Sequence, residues 1–553
     1  MPTITLNKEV LEKMMGKKLP LEELKDRISM LGTDLEKIEG NEIVVEIFPN
    51  RPDMLSEPGF ARALSSFIGV KTGLREYKAA KATAYYKVII EKPVKEVRPF
   101  TTCAIVKNLK FDDERIREVI QLQEKLHVTF GRNRKKLALG IYPLDKIKLP
   151  ITYTAKKPSD IRFRPLESDR DMSGAEILEK HPTGKEFAHL LEGKKLYPVF
   201  VDANGEILSM PPIINSYKTG RIDESTKDIF IECSGFDFRV LSQCLNIIVT
   251  SLADMGGEIY EMILEDGKGR KKTPELSPEE WNLDLKYVNK ITGMDFKEPE
   301  IKKLLERMGY GYRNKKVLVP CYRTDILHEI DLAEDIAIAY GYENFEPEIP
   351  NVSTIGAEDD FELFKSRIAN ILVGAGLLEI VSYHLSSEEI NNKRMLIEEE
   401  NLKLENSLTA DRTILRSWLL PGVMQVLSDN TNREYPQGLF EIGSVFRHSP
   451  SKETGIDESA KLCIAICSSD SDYTKIKQTI DVLMKALDLE YEASSREHKS
   501  FIAGRVASIA VKKHEVAVAG EISPEVLENF SLQMPVAAME LDLRVLYNII
   551  RQG

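Results

Sequence analysis

Apolar positions along this chain follow two periods, and the changes of period mark its elements. Near the N-terminus Leu24, Ile28 and Leu31 recur at helical spacing and end on Gly32; far downstream Ile301, Leu305 and Met308 do the same and end on Gly309. After each come a strand-like run, an Arg-x-Asp turn and a second helical run. The turns align without a gap, Arg51-x-Asp53-Met54-Leu55-x-Glu57 against Arg323-x-Asp325-Ile326-Leu327-x-Glu329. The chain therefore carries two copies of one plan, and an internal repeat reports architecture before any single residue does.

Between the copies lies a long region of short β-rich runs, TTCAIVKNL and ILSMPPIIN, and helical ones. In FRVLSQCLNIIVTSLADMG the positions Val240, Cys244, Ile247, Ile248 and Leu252 keep a helical period. A charged connector from Arg75 to Arg98 leads into this region. Gly, Lys and Pro crowd EDGKGRKKTPELSPEEW, which reads as an exposed linker out of it, and NVSTIGAEDD reads as a second linker. The last stretch opens with a helix, FELFKSRIANILVGAGLLE, and continues with IVSYHLSS in an extended pattern, TILRSWLLPGVM, and the strands GLFEIGSVFR, VAVAGEISPEV and VAAMELDL. Strands joined through helices in this order predict an α+β domain on an antiparallel sheet. Gly374-Ala375-Gly376 follows a helical pattern and has no third glycine, so it is no dinucleotide loop.

A length of 553 residues predicts several domains with their own cores. The net charge of -12 argues against a dedicated nucleic-acid coat but leaves room for local basic faces. Two runs qualify, Arg132, Arg134, Lys135 and Lys136, and Lys268, Arg270, Lys271 and Lys272, although a short charge run is usually a solvated surface. No apolar stretch reaches bilayer length, and the N-terminus has no signal-peptide pattern. The six cysteines form no CxxC pair, which predicts buried thiols in a reduced, cytoplasmic protein.

The two copies differ where chemistry would sit. The second has Asp331, Glu334 and Asp335 where the first has Gly59, Arg62 and Ala63. Spacings of three and four put those carboxylates on one helix face, with Asp325 just upstream. Four such charges must repel, protonate in part, or hold a cation, and oxygen donors without Cys or His suit Mg²⁺. The same spacing also fits a capping box with acids at the positive end of a helix.

RTDILHEIDLAEDIAIAYGYENFEPEIP, NRPDMLSEPGFARAL, TILRSWLLPGVM and LFEIGSVFR together resemble the β-subunit family of phenylalanyl-tRNA synthetases, in its shorter archaeal and eukaryotic form. The resemblance covers nearly the whole chain. It implies a multidomain α+β fold: related helix–strand–helix, winged-helix-like modules at 1–75 and 272–350, a β-rich editing module at 76–265, and a class II synthetase-like antiparallel-sheet domain at 360–553. It implies an α2β2 tetramer with an α subunit, phenylalanine tRNA as a partner, no membrane, ATP as substrate of the assembly, and Mg²⁺ at Asp325, Asp331, Glu334 and Asp335 near the subunit boundary.

The resemblance also implies that the last domain is catalytically silent. Glu441 follows Phe440 where an ATP-clamping arginine is expected, and no Gly-rich third motif is recognisable near VAAMELDL, although Arg416, Arg433 and Arg447 remain. Phe361 to Ser387 then becomes dimer-forming surface. The central region would hydrolyse tyrosine wrongly attached to the tRNA, because an apolar pocket rejects an added hydroxyl only about a hundredfold. Candidates for reading that hydroxyl or placing the water are Glu206, Ser209 and Asn215, then His127 and Arg132. Each has a plainer reading: Asn204-Gly205 marks a turn beside Glu206, Asn215 can cap local backbone, and a lone His is usually structural. Two other functions fit less of the chain: a free-standing hydrolase for mischarged tRNA, and a nucleic-acid-binding scaffold, which the acidic second copy disfavours.

Overall fold

The computed structural model describes residues 2–267, 269–352 and 354–552; Lys268, of the second basic run, lies outside them. The chain divides into two units, 1–349 and 350–553.

In the first unit each repeat has six elements in the same order. The N-terminal copy runs Thr3–Asn7, Lys8–Met15, Leu21–Met30, Asp34–Glu39, Glu42–Glu46 and Glu57–Phe67, that is strand, two helices, two strands, helix. The later copy runs Glu279–Asn282, Leu285–Thr292, Glu298–Arg307, Gly311–Arg313, Lys316–Val319 and Glu329–Tyr340. Both three-stranded sheets place the third strand between the first two. Sequence patterning predicts a helix, one strand and a second helix in each copy, three of the six elements; the opening strand and helix and the first strand of the hairpin are too short to show a period. Gly32 and Gly309 leave their helices at φ +91° and +82°, a left-handed turn that favours glycine.

The shared Arg-x-Asp is itself a structural device. Arg51 donates Nε and Nη2 to the two oxygens of Asp53, both at 2.9 Å, and Arg323 does the same to Asp325 at 2.8 and 2.6 Å. Such forked pairs fix the turn between strand and helix. The copies pack together: the Arg62 guanidinium lies 3.7 Å from the Tyr322 ring centre, and Arg307 donates to the Phe67 carbonyl at 3.0 and 2.9 Å.

A ten-stranded mixed sheet forms the middle of the first unit. Residues in its strands Phe100–Lys107, Leu137–Pro143 and Ile229–Gly235 alternate between two cores. Ala104, Val106, Leu139, Ile141, Ile229 and Ile231 join the helix Phe238–Asp254 and both repeats in one core. Cys103, Ile105, Tyr142 and Phe230 join the rest of the sheet in the other. That helix buries Cys244, Ile247, Ile248 and Leu252, as their spacing predicts.

Two expected connectors are folded instead. Arg75 to Arg98 contains the strand Lys87–Ile90, which lies inside the sheet, parallel to both neighbours. The predicted linker after Glu265 contains Arg270–Thr273, antiparallel to Glu258–Glu265, as well as the opening strand of the second repeat. Arg270 and Lys272 are edge residues with cross-strand partners, Lys272 to Glu261 at 2.9 Å and Arg270 to Glu265 at 3.0 Å, and Lys271 lies over the Phe238 ring. Ladder hydrogen bonds and these pairs suffice there without apolar alternation.

The second unit is built on a seven-stranded sheet, in order Leu378–Glu379, Gln437–His448, Ile456–Cys467, Val536–Asp542, His514–Ile522, Phe501–Val511 and Glu492–Ser495. Every pair is antiparallel except the first. The helices Asp360–Gly374, Tyr473–Ala486 and Leu543–Gln552 share one core with the sheet, and Leu420–Asp429 shares the other. IVSYHLSS, expected to be extended throughout, forms only the short strand Leu385–Ser386.

Candidate functional site

The four acids of the second repeat do not meet as one set. Asp331 accepts from the backbone amides of Leu327 and His328 at 2.7 and 2.8 Å, completing a capping box. Arg323 bridges Asp325 and Asp335, reaching the latter at 2.7 Å, and Asp335 also accepts from the Tyr310 hydroxyl. Burial alone pushes the Asp325 carboxyl up, but the Arg323 guanidinium overrides it and holds the group below its usual range. Glu334 is exposed, and its pKa is raised by partial burial and then by the charges of Asp335, Asp331 and Asp325. Among the described residues the acids whose oxygens lie within 4.8 Å of one another are Asp34, Glu36 and Glu46, not any three of these. What the cluster offers a hard cation is oxygen only, Glu334 and the free oxygens of Asp331 and Asp335, since Arg323 engages both oxygens of Asp325. Because Mg²⁺ keeps several waters, it needs only a few of those oxygens directly.

In the central sheet Ser209 and Asn215 stand opposite each other on neighbouring strands, Ile207–Met210 and Ile214–Asn215. The Tyr142 hydroxyl lies 3.3 Å from Asn215 Oδ1 and 3.2 Å from Glu232 Oε1. Glu232 is 2% exposed, and burial raises its pKa to about 8, against the opposing pull of Arg98. Burial thus favours its protonated, neutral form. Glu232 Oε2 and Ser209 Oγ are buried without a well-formed hydrogen bond among the described residues, although Ser209 lies close to the Tyr142 hydroxyl and Glu232 close to Ser234. Orphaned buried polar atoms are costly and mark places where a ligand completes the network. Arg98, wholly buried, donates to Ser234 Oγ at 3.1 Å and to the Ser234 carbonyl at 2.6 Å. Gly140 makes room: a Cβ there would fall 2.2 Å from the Tyr142 hydroxyl and 2.8 Å from Glu232 Oε1.

The other two candidates stand apart. His127 Nε2 accepts from the Leu139 amide at 2.9 Å and Nδ1 lies 3.3 Å from Glu124, so both nitrogens serve the helix–strand junction. Burial lowers its pKa. Glu206 pairs with Lys218 at 2.5 Å on the wall of a separate cleft. Arg132 sits in the left-handed run Arg132, Asn133, Arg134. Sequence reasoning missed Tyr142, Glu232 and Gly140. The available signal was Glu232, an acid inside the apolar run IFIECSG.

In the second unit Glu441 is fully buried and accepts from Arg416 Nη1 at 2.6 Å and from Ser382 Oγ at 2.6 Å. Arg416 also donates to the Ser444 carbonyl at 2.8 Å. Glu540 accepts from the amides of Leu419 and Leu420 at 2.9 and 3.0 Å, and burial raises its pKa to about 7. Arg433 is exposed, and Arg447 lies 3.7 Å from Glu399. Val381 and Tyr383 are 88% and 71% exposed beside the edge strand Leu378–Glu379.

Comparison with known proteins first places the chain among components of aminoacyl-tRNA synthetases: residues 281–342 match the family described as tRNA synthetase B5 domain, and residues 346–543 match the phenylalanyl tRNA synthetase beta chain CLM domain. The phenylalanine–tRNA ligase beta subunit of Pyrococcus abyssi is 40% identical over 99% of this chain and 100% of its own length, and that of Pyrococcus horikoshii 38% identical over the same shares. A crystal structure of an N-terminal fragment of the Pyrococcus horikoshii phenylalanyl-tRNA synthetase beta subunit, 37% identical, covers 61% of this chain and 99% of that fragment with a TM-score of 0.59. The chain belongs to the phenylalanine–tRNA ligase β-subunit family, and its fold is the mixed α+β, multidomain one of that family. No helix among the described residues is long and apolar enough to cross a membrane.

Proposed function

We propose that this chain is the proofreading and supporting subunit of a cytoplasmic phenylalanine–tRNA ligase, joined to an α chain as an α2β2 tetramer that uses ATP, phenylalanine and its tRNA. The observation that carries the proofreading role is the buried Glu232, its neutral form favoured and one oxygen without a well-formed hydrogen bond, set beside Tyr142, Asn215 and Ser209. A protonated carboxyl and a phenol in an apolar surround can hydrogen-bond a single added hydroxyl. A phenylalanine side chain would leave those groups unpaired, at a cost of about 1–3 kcal/mol each. Discrimination then follows from desolvation. With His127 engaged elsewhere, hydrolysis of the ester relies on a positioned water.

Within this reading 1–75 and 272–350 are the paired repeats, 76–265 is the editing module, and 360–553 is a silent class II-like domain. Its silence is supported by the Arg416–Glu441 pair, which satisfies internally a guanidinium that an active site would aim at phosphate. The exposed apolar edge around Val381 and Tyr383 suits a partner chain. In the second repeat, Glu334 and the free oxygens of Asp331 and Asp335 would hold Mg²⁺, with Asp325, both of whose oxygens are taken by Arg323, adding charge beside them. When bound, the ion neutralises the acid cluster at the subunit boundary.

Reconstitution tests the reading. Coexpressed with an α chain, the assembly should charge tRNA with phenylalanine and deacylate tyrosyl-tRNA, whereas this chain alone should charge nothing. An assembly that charges normally but leaves tyrosyl-tRNA intact would refute the proofreading role.

A further inference from the structure

The Arg-x-Asp turns of the two repeats converge where the repeats pack. A cavity of about 10 Å³ there has room for one water-sized body. Its wall holds Arg51, Arg62 and Arg75 from the N-terminal side and Tyr322 and Arg323 from the second repeat. Asp53 is the one carboxylate on that wall among the described residues, and Arg51 occupies both of its oxygens at 2.9 Å. Burial and then the charge of Arg323 work against the Arg51 cation, although Asp53 and Asp325 outweigh them. The repeat thus sets two equivalent arginines close together.

Two of these guanidiniums are only partly satisfied. Arg62 and Arg323 are 3% and 6% exposed. Arg62 donates Nη1 to Asp254 at 2.8 Å and to the Tyr77 hydroxyl at 3.0 Å, and Arg323 gives Nε and Nη2 to Asp325 and Asp335. That leaves Arg62 Nε and Nη2 and Arg323 Nη1, all buried with no hydrogen-bond partner among the described residues. The Tyr322 ring, its centre 3.7 Å from the Arg62 guanidinium, attracts the cation but is a weak acceptor. Buried N–H groups without acceptors are costly, so an occupant that only accepts is favoured. A water would have to place its own protons on a wall made chiefly of donors. A monatomic anion accepts from every side, and the room suits it better than phosphate.

We propose that this cavity binds one halide ion, chloride in ordinary solution, held by the N–H groups of Arg62 and Arg323, and that the ion ties the two repeats together. Arg62 stands on the helix Glu57–Phe67 of the first repeat and Arg323 in the turn of the second, so a shared ligand resists their separation. Ser209, Tyr142 and Glu232 are not on its wall, and the ion acts independently of the proofreading pocket.

The test uses the full chain. Crystals soaked in bromide and recorded at the bromine absorption edge should show an anomalous peak between Arg62 and Arg323. Density without that signal, a water only, would overturn the proposal. Amide hydrogen exchange read by mass spectrometry tests the tie in solution, with chloride compared against gluconate at equal ionic strength. At a chloride concentration about ten times the dissociation constant, exchange through openings that release the ion should slow about elevenfold in Glu57–Phe67 and Glu298–Arg307. The helix Tyr473–Ala486 of the second unit should not respond. Arg62→Lys keeps a cation beside Asp254 but removes Nε and Nη2, and should abolish the chloride effect. Equal exchange of the parent in chloride and gluconate, or the same slowing in Tyr473–Ala486, would overturn the proposal. So would a chloride effect that survives Arg62→Lys.

Discussion

Replacing Arg323 by Met distinguishes two accounts of the acidic repeat. If self-repulsion among four carboxylates dominates, removing charge from the cluster should help the chain. The geometry says otherwise. The Arg323 side chain is 2% exposed and makes charged hydrogen bonds of 2.8 and 2.6 Å to Asp325 and 2.7 Å to Asp335, whose side chains are 9% and 8% exposed. Deleting the cation leaves two desolvated carboxylates uncompensated, and breaking a buried pair in this way costs about 3–5 kcal/mol. Asp335→Asn should also destabilise, by a smaller amount, because it removes one of the two anions that hold Arg323 in place. Urea unfolding of the full chain, followed by far-UV circular dichroism, reads both variants against the parent. An Arg323→Met midpoint equal to the parent's, or an Asp335→Asn variant more stable than the parent, would refute the reasoning.

Three further outcomes follow. Glu232 has a folded pKa of about 8, above its unfolded value, so the unfolded chain loses its proton first as pH rises and stability falls between about pH 4.5 and 8. Glu232→Gln should remove about 2–3 kcal/mol of that fall between pH 5 and 7, visible as a flatter urea midpoint against pH; an unchanged slope would show that Glu232 is ionised. Glu334→Gln in the assembled enzyme should weaken Mg²⁺ in a titration followed by subunit association, and an unaltered titration would return the acids to capping. The purified chain alone should show no phenylalanine-dependent exchange between ATP and pyrophosphate, since Arg416 is tied to Glu441.

What the sequence made legible was what periodicity encodes. The helix through Cys244 and Ile248, the strand GLFEIGSVFR and the two Arg-x-Asp turns all lie where spacing puts them. The opening strand of each repeat and Lys87–Ile90 escaped because they are only four or five residues long, too short for an alternation to stand out, although Ile4, Leu6 and Val88 are buried. The candidate pocket could be read in the sequence only in part. Ser209 and Asn215 belong to one polar run, and register brings them together. Tyr142 and Glu232 come from two other strands, so only sheet pairing places them beside it. His127 drew notice as a lone histidine, yet its nitrogens complete a helix–strand junction. The acid quartet shows the limit of spacing: it put four carboxylates near one another but gave no sign that Arg323 lies between two of them.

The central claim is that a buried, protonated Glu232 reads the hydroxyl of a misplaced tyrosine. The most direct measurement is the rate of tyrosyl-tRNA deacylation by the assembled enzyme carrying Glu232→Ala, with phenylalanine charging measured on the same preparation. Loss of one desolvated hydrogen bond predicts a fall of about 5- to 150-fold in deacylation, with charging close to parental, and Glu232→Gln, which keeps a donor, should retain most of the rate. Deacylation at the parental rate in Glu232→Ala, or an equal loss of both activities, would contradict the account.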